Sequence, residues 1–106
     1  MTAATVLREA RKLVERGWTQ GAAARTADGK SVGEDSPAAT CWCSLGAMSK
    51  GSDDCDVYAD AKGFLLMAVA ASNIAKWNDA LGRTQAEVVN AFSKAIELAE
   101  AEEAAR

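Results

Sequence analysis

The sequence contains no histidine. That excludes Ser-His-Asp and Cys-His nucleophilic catalysis, imidazole-bearing zinc sites and histidine proton shuttling near neutral pH. Cysteine is scarce and odd in number, at Cys41, Cys43 and Cys55. An odd count does not make a disulfide framework, and three thiols without a fourth soft ligand make a poor structural zinc site. No apolar run is long enough to cross a bilayer, and the Met1 end lacks a basic-then-apolar leader pattern. The chain therefore reads as cytoplasmic, with no membrane partner. Lysine and arginine total 12 against 15 acidic residues, for a net charge of −3. Duplex nucleic acid needs clustered cations that neutralise phosphates, so direct duplex binding is excluded too. A small anion held by one or two arginines is still allowed.

What the sequence does have is alanine, at 24 of 106 positions. Alanine loses no side-chain entropy on ordering and leads the helix scale, so this composition favours closely packed helices in one domain. Large apolar side chains are correspondingly few, which makes a monomer marginal and favours a homodimer. Thr2 to Arg16 reads as an amphipathic helix, with Ala3, Val6, Leu7, Ala10, Leu13 and Val14 at helical spacing. Thr2 caps it, and Gly17 sits where a left-handed residue ends a helix. Between Trp18 and Val32, Asp28-Gly29 marks a tight hairpin turn, so a small two-stranded ribbon is expected. The Ala22-Ala23-Ala24 run also allows a helix there.

Ser36-Pro37 is expected to open a helix running from Ala38 to about Met48. Asp56 to Ser72 carries the broadest apolar face and is expected to form the central helix. Asn73 to Trp77 either continues it or makes a separate turn. Thr84 and Glu87 match a capping box for a last helix from Gln85 to about Ala101, burying Val88, Phe92, Ala95, Ile96 and Ala99. The acidic end, 102–106, is disfavoured by the helix dipole and is expected to fray. The fold class is thus mainly α (α+β): a compact four-helix domain, 1–106, with a small β-hairpin.

Three constellations stand out. In Cys41-Trp42-Cys43, helical geometry would send the two thiols to nearly opposite sides, leaving buried structural cysteines, or a reactive thiolate at Cys41 near the helix start. Trp18-Thr19-Gln20 with Arg25 is either a chain reversal packed on the first helix or one edge of a ligand platform. Trp77-Asn78-Asp79 with Arg83 and Thr84 is either a hydrogen-bonded turn or a polar-ligand site. Arg83 at the mouth of a helix N-terminus opposes the dipole, and a bound anion there would relieve it.

Together, Gly17-Trp18-Thr19-Gln20-Gly21-Ala22, Cys41-Trp42-Cys43-Ser44-Leu45-Gly46-Ala47, Trp77-Asn78-Asp79 and Gly82-Arg83-Thr84 resemble a family of small phage and bacterial proteins of unknown function. The resemblance implies a phage or prophage setting and a stand-alone domain, and supplies no activity. Small phage proteins of this kind are often inhibitors, adaptors or ligand-sequestering proteins.

The leading functional expectation is a non-catalytic protein holding a small anionic, aromatic ligand such as a nucleotide signal. Trp18, Trp42 and Trp77 would stack the base, and Arg25 and Arg83 would meet phosphate. Thr19, Gln20, Asn78, Asp79 and Thr84 would supply directional bonds. No cofactor and no metal are expected. The alternatives are an inhibitor or adaptor binding a host protein through the same Trp and Arg anchors, and an enzyme using Cys41, Cys43 or the carboxylates of Asp56 and Asp79.

Overall fold

The computed structural model describes residues 1–106 and contains five helices and three two-residue strands. Helix α1 spans Ala3–Arg16, with the Thr2 hydroxyl accepting from the Thr5 N–H as its cap. Its face of Val6, Leu7, Ala10 and Val14 is buried, as the spacing predicts. Helix α5 spans Gln85–Ala104 and buries Val88, Phe92, Ala95, Ile96 and Ala99, all expected from the periodicity. The capping box of Thr84 and Glu87 is formed. The helix continues past Ala101, and the Glu103 carboxylate accepts from the Ala4 N–H at 3.3 Å, tying it to the start of α1.

These two helices carry most of the core. Eight of its 18 buried apolar residues are alanine, which lets the backbones approach closely. Helix α3, Cys55–Val69, packs against α1 and α5 as a flank, not as the expected centre. It buries only Ala61 and Leu65 completely, and Met67 faces solvent. The reason is geometric. A helix apolar on several sides can offer only one of them to the α1–α5 pair.

Helix α3 stops at Ala70, which takes φ of 53°, and Asn73 caps a separate short helix α4, Ile74–Asn78. The chain therefore breaks before Trp77. No helix is long and apolar enough to cross a membrane.

The β-structure differs more from expectation. Strands β1 (Ala24–Arg25) and β2 (Ser31–Val32) form the anticipated hairpin, with Gly29 at φ of 89° in its turn. A third strand, β3 (Cys41–Trp42), pairs antiparallel on the other side of β1, placing Ala24 opposite Trp42 and Arg25 opposite Cys41. Ser36-Pro37 opens only a turn, with the Ser36 hydroxyl accepting from the Ala38 N–H. Tertiary pairing overrides local helix preference here. The Thr40 N–H donates to Arg25 O, the Trp42 N–H to Gly17 O, and the Thr19 N–H to Trp42 O. The helix starts only at Ser44, as α2, Ser44–Lys50, with the Cys43 thiol as its cap, accepting from the Gly46 N–H at 3.2 Å.

Gly17 is not left-handed. Its φ is −176°, and its need for glycine comes from crowding: a Cβ there would lie 2.4 Å from Thr40 O. Gly46 is the same kind of residue, since a Cβ would lie 2.2 Å from Ala23 O. These two glycines set how closely α1 and α2 approach the small sheet.

Candidate functional site

The sequence motifs converge on Asn78, the last residue of α4 and fully buried. Its Oδ1 accepts three hydrogen bonds: from the Trp18 indole at 2.8 Å, the Ser44 N–H at 3.0 Å and the Ser44 hydroxyl at 2.7 Å. Its Nδ2 donates to Thr19 O at 3.2 Å and to Asp79 Oδ1 at 2.9 Å. Gln20 closes the arrangement by donating to Asn78 O and Ala80 O, and Asp79 Oδ1 also accepts from the Gly21 N–H. The segments after α1, before α2 and after α4 are thereby clasped by one amide. Every buried polar side-chain atom has a partner, so the Asn78 amide at the centre of the clasp has no open valence for a ligand.

Beside the clasp lies a cleft of about 400 Å³. Gly21, Ala22 and Ala23 form one wall, Leu45, Gly46 and Ser49 of α2 another, and Ala75 and Asn78 of α4 with the following Asp79 a third. Glu34, Cys43 and Tyr58 complete it. Ser49 donates its hydroxyl to Glu34 Oε2 at 2.8 Å, fixing that carboxylate in the wall. Burial pushes the Cys43 thiol above its ordinary range, and Asp79 adds to the rise against the opposing Gly46 and Leu45 N–H groups. Burial likewise raises the Tyr58 phenol, with Cys43 and Glu34 adding to it. Both groups are thus held protonated, as hydrogen-bond donors at neutral pH. The wall contains no lysine or arginine.

The sequence alone does not find Glu34, Ser49 or Tyr58. Glu34 sits in a loop, and nothing in the spacing links it to Tyr58 in another element. Of the ligand-binding residues expected from sequence, Asn78 and Asp79 line the cleft, and so does Cys43, expected as a structural or reactive thiol. Trp18, Thr19 and Gln20 stand behind it as clasp partners.

Arg25 donates to Gln20 O and Gly29 O, bracing the hairpin. Trp42 is 3% exposed in β3, its indole donating to Glu34 O at 3.0 Å. Trp77 and Arg83 form a separate unit: the guanidinium lies 4.2 Å from the ring centroid and Nε donates to Trp77 O at 2.9 Å.

The anion expected at the mouth of α5 is supplied by the chain itself. The Glu87 carboxylate accepts from the Thr84 N–H at 2.9 Å and lies 3.4 Å from Arg83 Nη1. Arg83 and Thr84 thereby satisfy each other through Glu87.

The cysteines are likewise relocated. Cys41 lies in a strand, not near a helix start, and its thiol faces Arg25 O at 3.7 Å. That removes the helix-terminus basis for a reactive Cys41. All three cysteines are free thiols.

A model of a family of unknown function, DUF6197, matches residues 1–98. The chain belongs to that family. No curated protein and no solved structure matches it. The match spans most of α5 and every residue of the clasp and the cleft, so both lie within the DUF6197 region. The family description carries no activity, and the chemistry must come from the cleft itself.

Proposed function

We propose that this protein is a non-catalytic binding protein that holds a small ligand in the cleft beside the Asn78 clasp. The observation that carries this reading is the makeup of the cleft wall. A volume of about 400 Å³ falls in the range of small-molecule sites. Ala22, Ala23, Leu45 and Ala75 give the lining its apolar surface, and the polar groups are the two carboxylates of Glu34 and Asp79, the Ser49 hydroxyl, the Asn78 amide and a protonated thiol and phenol. No cation faces it. That favours a flat or apolar body bearing N–H donors or a positive charge, such as a nucleobase or an aromatic amine. The phosphate half of a nucleotide finds no partner there. Sequestration of such a ligand by a phage or prophage product is the role we attach to the site. Absence of histidine and a thiol held in its neutral form both support binding over catalysis.

The rival partner, a host protein, has weaker support. The exposed large apolar residues Met1, Met67 and Leu81 sit on three different segments, and scattered single residues are ordinary surface.

Titration of the protein with adenosine, guanosine, cytidine and phenethylamine, followed by backbone amide NMR and thermal shift, tests the proposal. At least one compound is expected to move the amides of 21–23 and 45–49 and to raise the melting temperature. Ala75→Trp, which fills the cleft from an exposed position on α4, is expected to abolish both effects. The proposal fails if no compound moves these amides, or if the Ala75→Trp variant binds as the parent does.

A further inference from the structure

The structure contains two arginine–tryptophan stacks, and they differ in one respect. Arg83 over Trp77 is spoken for by Trp77 O and Glu87. Arg16 over Trp42, 5.6 Å from the ring centroid, takes part in none of the ion pairs. Its platform is firm, because Trp42 is buried, hydrogen-bonded through its indole and paired in the sheet.

Arg16 lines a groove of about 320 Å³ between the last turns of α1 and the end of α2. The other lining residues are Glu9, Lys12, Leu13, Lys50 and Gly51. Three cations therefore face one carboxylate in a chain whose net charge is −3. Lys12 donates to Glu9 Oε1 at 3.3 Å and Lys50 lies 3.9 Å from Asp35, both at the surface, where such pairs contribute little.

Cations in the last turn of a helix are ordinary, since they complement the dipole. That accounts for Arg16 on α1 and Lys50 on α2 taken singly. It does not account for their convergence on one groove with an exposed guanidinium that lies over Trp42 and has no acceptor in the protein. Gly51 sharpens the point. Its backbone is right-handed helical, so conformation does not require glycine, and a Cβ there would make only ordinary contacts with Glu9 and Val6. Its effect is to leave the groove floor without a side chain.

We propose that this groove binds a phosphate group, free or on a small organic molecule. Arg16 would be the bidentate anchor, and Lys12 and Lys50 the flanking charges. The groove stands on residues other than those of the cleft, so either site can fail without the other.

Backbone amide NMR at low ionic strength, with inorganic phosphate, AMP and adenosine as probes, tests it. Phosphate or AMP should move the amides of 12–17 and 49–52, and added salt should weaken the effect. Adenosine should leave these amides in place. Tighter binding of AMP assigns an organic phosphate, and equal binding assigns the free ion. Arg16→Gln should weaken binding by about tenfold or more, as loss of a charged hydrogen-bonding anchor does. Arg83→Gln should leave it unchanged. If circular dichroism shows that Arg16→Gln disturbs the fold, Lys50→Gln takes its place with a smaller expected loss. The proposal is overturned if neither phosphate nor AMP moves the groove amides, or if the neutralised variant binds as tightly as the parent.

Discussion

The Trp18 indole donates to Asn78 Oδ1 at 2.8 Å, across 60 positions of sequence. This bond joins the segment leaving α1 to the end of α4, and the same oxygen also takes both donors of Ser44. Three chain segments thus depend on one buried side chain.

Replacing that side chain should be costly. Asn78→Ala strands the Trp18 indole and the Ser44 donors in the interior, at about 1–3 kcal/mol for each group left unsatisfied. A total loss of roughly 3 kcal/mol or more is expected, at the severe end for one substitution. Trp18→Phe removes one donor and leaves the Ser44 bonds intact, so about 1 kcal/mol is expected from the lost hydrogen bond, plus any lost contact. Urea unfolding of the two variants checks the order. Equal losses would show that Asn78 is not a shared hub.

The glycines give a second contrast. Gly46→Ala places a Cβ 2.2 Å from Ala23 O, a backbone atom that cannot swing away. Forcing α2 off β1 should lower stability by about 1–3 kcal/mol or more. Gly51→Ala, in helical backbone with only ordinary contacts, should be neutral or slightly stabilising, by up to about 1 kcal/mol. Melting temperatures of the pair decide. A Gly46→Ala protein as stable as the parent would mean that the α2–β1 approach is loose.

Glu87 predicts an acid dependence. The Thr84 N–H, then the Thr84 hydroxyl and Arg83, hold its carboxyl below the usual glutamate range. A depressed folded value stabilises the protein above the unfolded value, and that contribution is lost as pH falls through the folded one. Glu87→Gln should therefore lower the melting temperature at neutral pH, and its curve should converge with the parent's in acid. A constant offset at every pH would contradict the linkage.

The thiols should react in a fixed order. Cys55 is exposed, Cys41 half-buried, and Cys43 half-buried with its thiol raised by burial. Iodoacetamide at mildly alkaline pH should label Cys55 first and Cys43 last, because the thiolate is the reacting form and burial disfavours it at Cys43. Mass spectrometry of timed samples reads the order. A raised thiol also stabilises the fold below the unfolded thiol value, and this is lost as pH rises through the folded one. Cys43→Ala should flatten that alkaline loss. Fast labelling of Cys43 would reopen the thiol-enzyme reading.

Where periodicity and local capping decide structure, the sequence is enough. α1, α5 and the Thr84–Glu87 box follow from apolar spacing and from donors satisfied within one helical turn. The Asp28-Gly29 hairpin follows from the freedom of glycine at positive φ. Strand β3 does not follow, because its partners, Gly17 and Arg25, are remote in sequence, and local preference alone favours a helix over Ser36 to Met48.

The motifs were legible as unusual, but not their division of labour. Trp18, Gln20, Asn78 and Asp79 look alike whether they serve a ligand or one another, and only their mutual distances show which of their hydrogen bonds are made within the clasp. Likewise, the anion wanted by Arg83 was present four residues along, as Glu87. The cleft and the groove are both meetings of separate elements. Glu34 meets Tyr58, and Arg16 meets Lys50, only after the core of α1 and α5 has set where the loops and α2 must lie. The sequence determined which helices form, because that chemistry is local. Tertiary structure decided which polar groups are spent on the fold and which are left over, because that depends on partners distant along the chain.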